Sequence, residues 1–117
     1  MIKNVSEFDS NQIAAGSGTS VQVLIGAQDA PNFAMRKFTI KSGGHMPLHT
    51  NTVEHEQYVL SGEAKVIMDG KEYRAKKDDV LYIPAGVAHS YEVVGAEDYE
   101  FLCLIPTNSE DCITLLD

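Results

Sequence analysis

Apolar and polar residues alternate one by one along much of the chain. Over residues 34–41, Ala34, Arg36, Phe38 and Ile40 fall on one side and Met35, Lys37, Thr39 and Lys41 on the other. A period of two belongs to a strand, whose successive side chains point to opposite faces. The same reading predicts strands over residues 21–25, 57–60, 64–68, 80–83, 90–94 and 100–105. Turn-formers stand between them: Gly43-Gly44, Ser61-Gly62, Asp69-Gly70, Pro84-Ala85-Gly86 and Gly95. Asp69-Gly70, flanked by VIM and KEY, is a strong signal for a two-residue hairpin. No stretch of ten or more residues keeps helical spacing. Short strands separated by Gly and Pro turns predict an all-β sandwich or barrel.

Composition narrows this to one domain over residues 1–117, with no linker, repeat or low-complexity tract. The hydrophobic fraction of 44% and charged fraction of 22% suit a globular chain with one core. Seventeen Asp and Glu against nine Lys and Arg give a formal charge of −8, which argues against nucleic acid or an anionic membrane as partner. No apolar run approaches the roughly 20 residues that span a bilayer. The opening MIKNVSEFDS has no apolar core of the kind a secretory leader carries. Cys103 and Cys112 lack CxxC spacing, so reduced thiols and a cytoplasmic location are expected.

Candidate chemistry lies in the four histidines, His45, His49, His55 and His89. Imidazole suits divalent transition ions such as Mn, Fe, Zn, Ni or Cu. His49 and Asn51 share a strand face, and Thr52–Glu54 leaves room for a bend that returns His55 on the adjoining strand. His89 follows Pro84-Ala85-Gly86 and can approach from across the sheet. His45 has the parity of His49 but lies about 13 Å away along an extended chain, too far to share an ion.

These residues fall in a spacing that resembles the cupin family, small stand-alone members especially. The first cupin motif runs Gly, five residues, His-x-His, three or four residues, Glu, six residues, Gly. Gly43, His49, Asn51, His55 and Gly62 stand at those places. The second runs Gly, five residues, Pro-x-Gly, two residues, His, three residues, Asn, and is matched by Asp78, Pro84-Ala85-Gly86, His89 and Val93. The motifs occupy residues 43–62 and 78–93, and APNFAMRKFTI and EFLCLIP extend the likeness on both sides. The resemblance implies a cupin-type double-stranded β-helix, a jelly-roll barrel, with one divalent transition-metal ion on His49, His55, His89 and Asn51. It also implies a homodimer, with residues 21–25 and 113–116 as apolar strands that could cross over. Histidine in place of the motif glutamate resembles a subgroup with an all-histidine site. Such a site keeps the ion's positive charge and should favour anionic ligands. Asn51 is a weaker donor than the motif histidine, whereas Asp78 and Val93 depart at turn positions.

Three further residues are candidates for chemistry. Arg36 shares the inward face of Phe38 and Ile40, either as a structural ion pair or as a clamp for a substrate carboxylate. Tyr91 shares the face of His89, about 6.5 Å along the strand. Cys103 has the parity of Phe101 and Ile105, as a small core residue or a pocket thiol. Glu54 and Glu56 flank His55 and could orient it. Two functions fit: a metal-dependent enzyme (an oxygenase, isomerase or lyase) on a small anionic metabolite, or a non-catalytic barrel that binds a sugar or other metabolite beside a structural metal.

Overall fold

The structure is a computed structural model that describes residues 1–107 and 111–116. A 3-10 turn, Val5–Glu7, precedes β1 (Asn11–Gln12), β2 (Ser17–Ile25) and the long β3 (Phe33–Asn51). Then follow β4 (His55–Ser61), β5 (Glu63–Met68), β6 (Lys71–Lys76), β7 (Val80–Ile83), β8 (His89–Val94), β9 (Tyr99–Pro106) and β10 (Ile113–Leu115). Every pairing is antiparallel, in the order β6-β5-β8-β3-β9-β4-β7, with β2 and β10 also on β3.

β3 joins the two halves of the barrel. Phe33–Ile40 pairs with β9, and His45–His49 pairs with β8. The sequence reading placed a break at Gly43-Gly44, yet the strand runs through it. Gly43 takes φ +82, a left-handed conformation open to glycine, so the chain bends between sheets without ending the strand. A second irregularity lies between Met46 and His49, where the register against β8 shifts. This shift overrides simple alternation: Met46 and His49 are both buried, while His45 is exposed.

The Asp69-Gly70 hairpin forms as predicted. Both residues have positive φ (52 and 78) and Met68 pairs with Lys71, as in a type I′ turn. Asp78, at the place of a motif glycine, adopts φ 73, and its carboxylate accepts a 2.9 Å bond from the Tyr58 hydroxyl. Val93, at the place of the motif asparagine, is buried opposite Ala64. Alternate residues of β3, β4, β5, β8 and β9 fill one end of the barrel, with Ile40, Val59, Val66, Tyr99 and Phe101 almost wholly buried. Phe101 lies 5.4 Å, centroid to centroid, from both Tyr91 and Tyr99. The segments expected to cross to a partner are paired within their own chain: β2 on the first half of β3, β10 on the second.

Gly62 ties this core together, because a Cβ there would run into the carbonyl oxygen of Asp98, and its φ is +78. Gly70 has the same φ with open space around it. Gly70→Ala should cost about 1 kcal/mol from backbone strain alone, and Gly62→Ala about 2–3 kcal/mol because the clash is added. Denaturant midpoints of the two variants check the difference. Equal losses would show that the close approach to Asp98 contributes nothing.

Candidate metal and anion site

The barrel's open end holds a cavity of about 200 Å³, lined by inward residues of β3, β4 and β8 and by Asp111 and Ile113 near the C-terminus. That is room for a molecule of a few heavy atoms. His49 and His89 stand opposite each other across the β3–β8 ladder, so their rings meet at 4.1 Å between centroids. His55 enters from β4, with its ring 6.2 Å from that of His89.

The three histidines have different partners. His49 Nδ1 lies 2.8 Å from Pro47 O, and His89 Nδ1 lies 3.0 Å from Val87 O. A carbonyl oxygen can only accept, so each Nδ1 carries the hydrogen. In a neutral ring the lone pair then sits on Nε2. His89 Nε2 is buried without a partner, as is the amide oxygen of Asn51. Burial holds both rings neutral. It lowers His49 from 6.5, and together with the repulsion the two rings would feel if both were protonated it takes His89 down to about 4.

His55 is the opposite case. Burial alone would lower it, but its Nε2 donates to Asp111 Oδ2 at 3.1 Å, and this bond, aided by the Cys103 thiol, raises it to about 9. It is an imidazolium at neutral pH. Burial would raise Asp111, yet His55, Arg36 and the Asn51 side chain together hold its carboxyl below the usual range. Arg36 Nη2 stands 3.7 Å from the same Oδ2. Two cations therefore face one carboxylate, leaving a net positive charge inside a protein of formal charge −8.

The structure thus brings His49, Asn51, His55, His89, Arg36 and Tyr91 to one cavity. His45 lies outside it. Cys103 is wholly buried behind the wall, between Arg36 on β3 and Gln57 on β4, and its sulfur accepts from Arg36 Nη2 at 3.5 Å and Gln57 Nε2 at 3.8 Å. The Gln57 amide also donates to the Tyr91 hydroxyl at 2.8 Å, while burial pushes that phenol well above its usual range, so it stays neutral. Asp111, and neither Glu54 nor Glu56, is the carboxylate that orients His55. Two site residues were missed from sequence. Gln57 has the parity of His55 and could have been found by it. Asp111 lies outside any alternating run, and only the pairing of β10 with β3 brings it inward.

Among the described residues, no group of three or more His, Cys, Asp or Glu side chains is gathered to hold an ion as it stands. The donor chemistry nevertheless suits one. Two neutral imidazoles with oriented rings and a buried, unpartnered amide oxygen are ligands a divalent transition ion accepts, and backbone acceptors on Nδ1 are the usual support of a ligating histidine. His55 could join them only by leaving Asp111.

Antiparallel strands closed round one such pocket make this a small β-barrel domain. The chain belongs to the cupin family: the cupin domain matches residues 36–105. It is 30% identical over 112 residues to an oxalate-binding protein of Thermotoga maritima, covering 90% of this chain and 93% of that one. It is 32% identical over 74 residues to a mannose-1-phosphate guanylyltransferase of Klebsiella pneumoniae, where the match spans 62% of this chain but 16% of the relative's length. The polyketide cyclase RemF of Streptomyces resistomycificus superposes with a TM-score of 0.88 over 100% of this chain and 87% of that one at 22% identity, a likeness of fold.

The histidine pairings set the pH dependence of stability. His55 moves from 6.5 when unfolded to about 9 when folded. The folded protein therefore keeps that proton, and the stabilisation is complete below pH 6.5 and lost as pH rises through about 9. The loss is about 3 kcal/mol at 1.36 kcal/mol per unit. His89, buried neutral, acts on the other side, and stability falls as pH drops from 6.5 toward about 4. Chemical denaturation of metal-free protein from pH 4 to 10 should give a maximum near neutrality, and His55→Gln should flatten the alkaline limb alone. An alkaline limb unchanged in His55→Gln would contradict the assignment.

Proposed function

We propose that this cupin holds one divalent transition-metal ion at His49 and His89, with Asn51 beside them, and uses it to act on a small anionic molecule. The observation that carries this reading is the contrast between paired neutral imidazoles and adjacent cations. His49 and His89 present nitrogen lone pairs, while Arg36 and protonated His55 already hold a carboxylate a few ångströms away. A site divided in this way suits a ligand with one donor end and one anionic end.

The ion, when bound, would supply Lewis-acid or redox chemistry of the oxygenase, isomerase or lyase kind. The chain's own residues do the rest. Arg36 fixes the anionic end, and stacking of its guanidinium 4.9 Å over the Phe38 ring keeps it aimed. His55 carries on Nε2 a proton, here bonded to Asp111, that it can give to a substrate standing in the place of that carboxylate. Tyr91, anchored by Gln57, retains its O–H as a neutral donor. Apolar side chains, Ile13, Phe38, Ile40 and Met46 among them, line the remaining wall and limit water.

The second reading is a non-catalytic binder in which the metal orients a metabolite. It is favoured by the Thermotoga maritima relative, whose name is oxalate-binding protein and which aligns over nearly its whole length. Turnover separates the two. Protein as isolated should carry about one ion per chain, and assays against oxalate, thiols, diketones and sugar acids should show consumption of at least one. Metal with no turnover of any would favour the binder.

Ligation is tested by chelator competition. His49→Ala and His89→Ala should each remove most of the metal, since each deletes an oriented nitrogen donor. Asn51→His should tighten binding by on the order of 10–100-fold, and Asn51→Ala should cost much less than losing either histidine. Metal retained at full stoichiometry in the His49→Ala/His89→Ala double variant would overturn the assignment.

A further inference from the structure

The group held by Arg36 and His55 belongs to the chain's own C-terminal segment. Asp111 Oδ2 is 3.1 Å from His55 Nε2 and 3.7 Å from Arg36 Nη2. The segment that carries it is lightly fastened. Among the described residues, its attachments besides Asp111 are the three-residue ladder of β10 on β3, a pair of bonds between Cys112 and Thr52 (2.8 and 3.1 Å), and Leu116 N–H to Leu48 O at 2.9 Å. Ile113, Leu115 and Leu116 are 45%, 52% and 39% exposed, so little apolar burial adds to those bonds. A short strand held this way opens at low free-energy cost. Asp111 is also an imperfect occupant, since its Oδ1 is buried with no partner.

β10 also crosses the strand that carries the metal donors. Ile113 pairs with Asn51 and Leu115 with His49. Asp111 and Ile113 line the same cavity as the histidines. Docking of this segment and entry of a ligand therefore use one space.

We propose that Arg36 and His55 form a carboxylate subsite that Asp111 occupies as an internal ligand, so that a small carboxylate binds by displacing Asp111 and releasing the C-terminal strand. The inference rests on the reading of the pocket as an anion site. It adds the ligand class, a compact mono- or dicarboxylate of the size that 200 Å³ admits, and a competitor built into the chain. An internal competitor lowers apparent affinity by the fraction of molecules in which the subsite is free. Removing its charge should restore that affinity.

The test is an NMR titration of the full chain, as isolated, with oxalate, with metal content measured on the same samples. Asp111→Asn should bind oxalate on the order of tenfold more tightly than the parent chain. Leu116→Pro, which deletes the outer bond to Leu48 but keeps the carboxylate, should shift affinity in the same direction by less. In the parent chain, saturation with oxalate should strip hydrogen-exchange protection from the Cys112 and Leu116 amides. Equal or weaker binding by Asp111→Asn, or undiminished protection of those amides at saturation, would overturn the proposal. So would reduced metal loading in Asp111→Asn, because Asp111 would then serve the metal. Failure of every chain to bind oxalate would also overturn it, whereas the metal reading stands or falls separately on the loading of the His49 and His89 variants.

Discussion

β3 must serve both halves of the barrel, and the path it takes to do so arranges the pocket. Nineteen residues run from Phe33 to Asn51, bending at Gly43 and shifting register between Met46 and His49. The first half delivers Arg36, and the second delivers His49 and Asn51. Because the second half is shared by β8 on one side and β10 on the other, His89 and Asp111 are brought against the same residues. A strand that ended at the glycine pair would separate Arg36 from His49, and the donor and anion ends of the site would no longer share one cavity.

Within that frame, hydrogen-bond partners divide the work among chemically identical side chains. Burial keeps His49 and His89 neutral against the weak pull of a backbone carbonyl on each Nδ1, while a carboxylate on Nε2 helps make His55 a cation. Burial acts on all three in the same direction, so it cannot be the cause of the difference. The difference comes from the hydrogen bond of His55 to Asp111, which together with Cys103 outweighs the burial of that ring. The result is a positive pocket in an acidic protein, a local field opposite in sign to the net charge.

Much of this was legible in sequence. Period-two runs mark most of the strands, Asp69-Gly70 marks its hairpin, and motif spacing places His49, Asn51, His55 and His89 in one neighbourhood. Local reasoning failed where tertiary pairing overrides it. Gly43-Gly44 looks like a turn because glycine commonly ends strands, but here it lets one strand change sheets. Parity groups His45 with His49, and a register shift separates them. Asp111 carries no local signal, since an acidic residue outside any alternating run is ordinarily solvated. The partner of His55 was not legible for the same reason: spacing reports which residues meet, whereas the carboxylate bonded to this ring comes from 56 positions away.

The central claim is the division of labour among the three histidines, and ring-nitrogen NMR of the metal-free protein at neutral pH tests it most directly. His49 and His89 should give the signals of neutral rings protonated at Nδ1, and His55 that of an imidazolium with both nitrogens protonated. Three neutral rings of one tautomer, with His55 indistinguishable from the other two, would contradict the account.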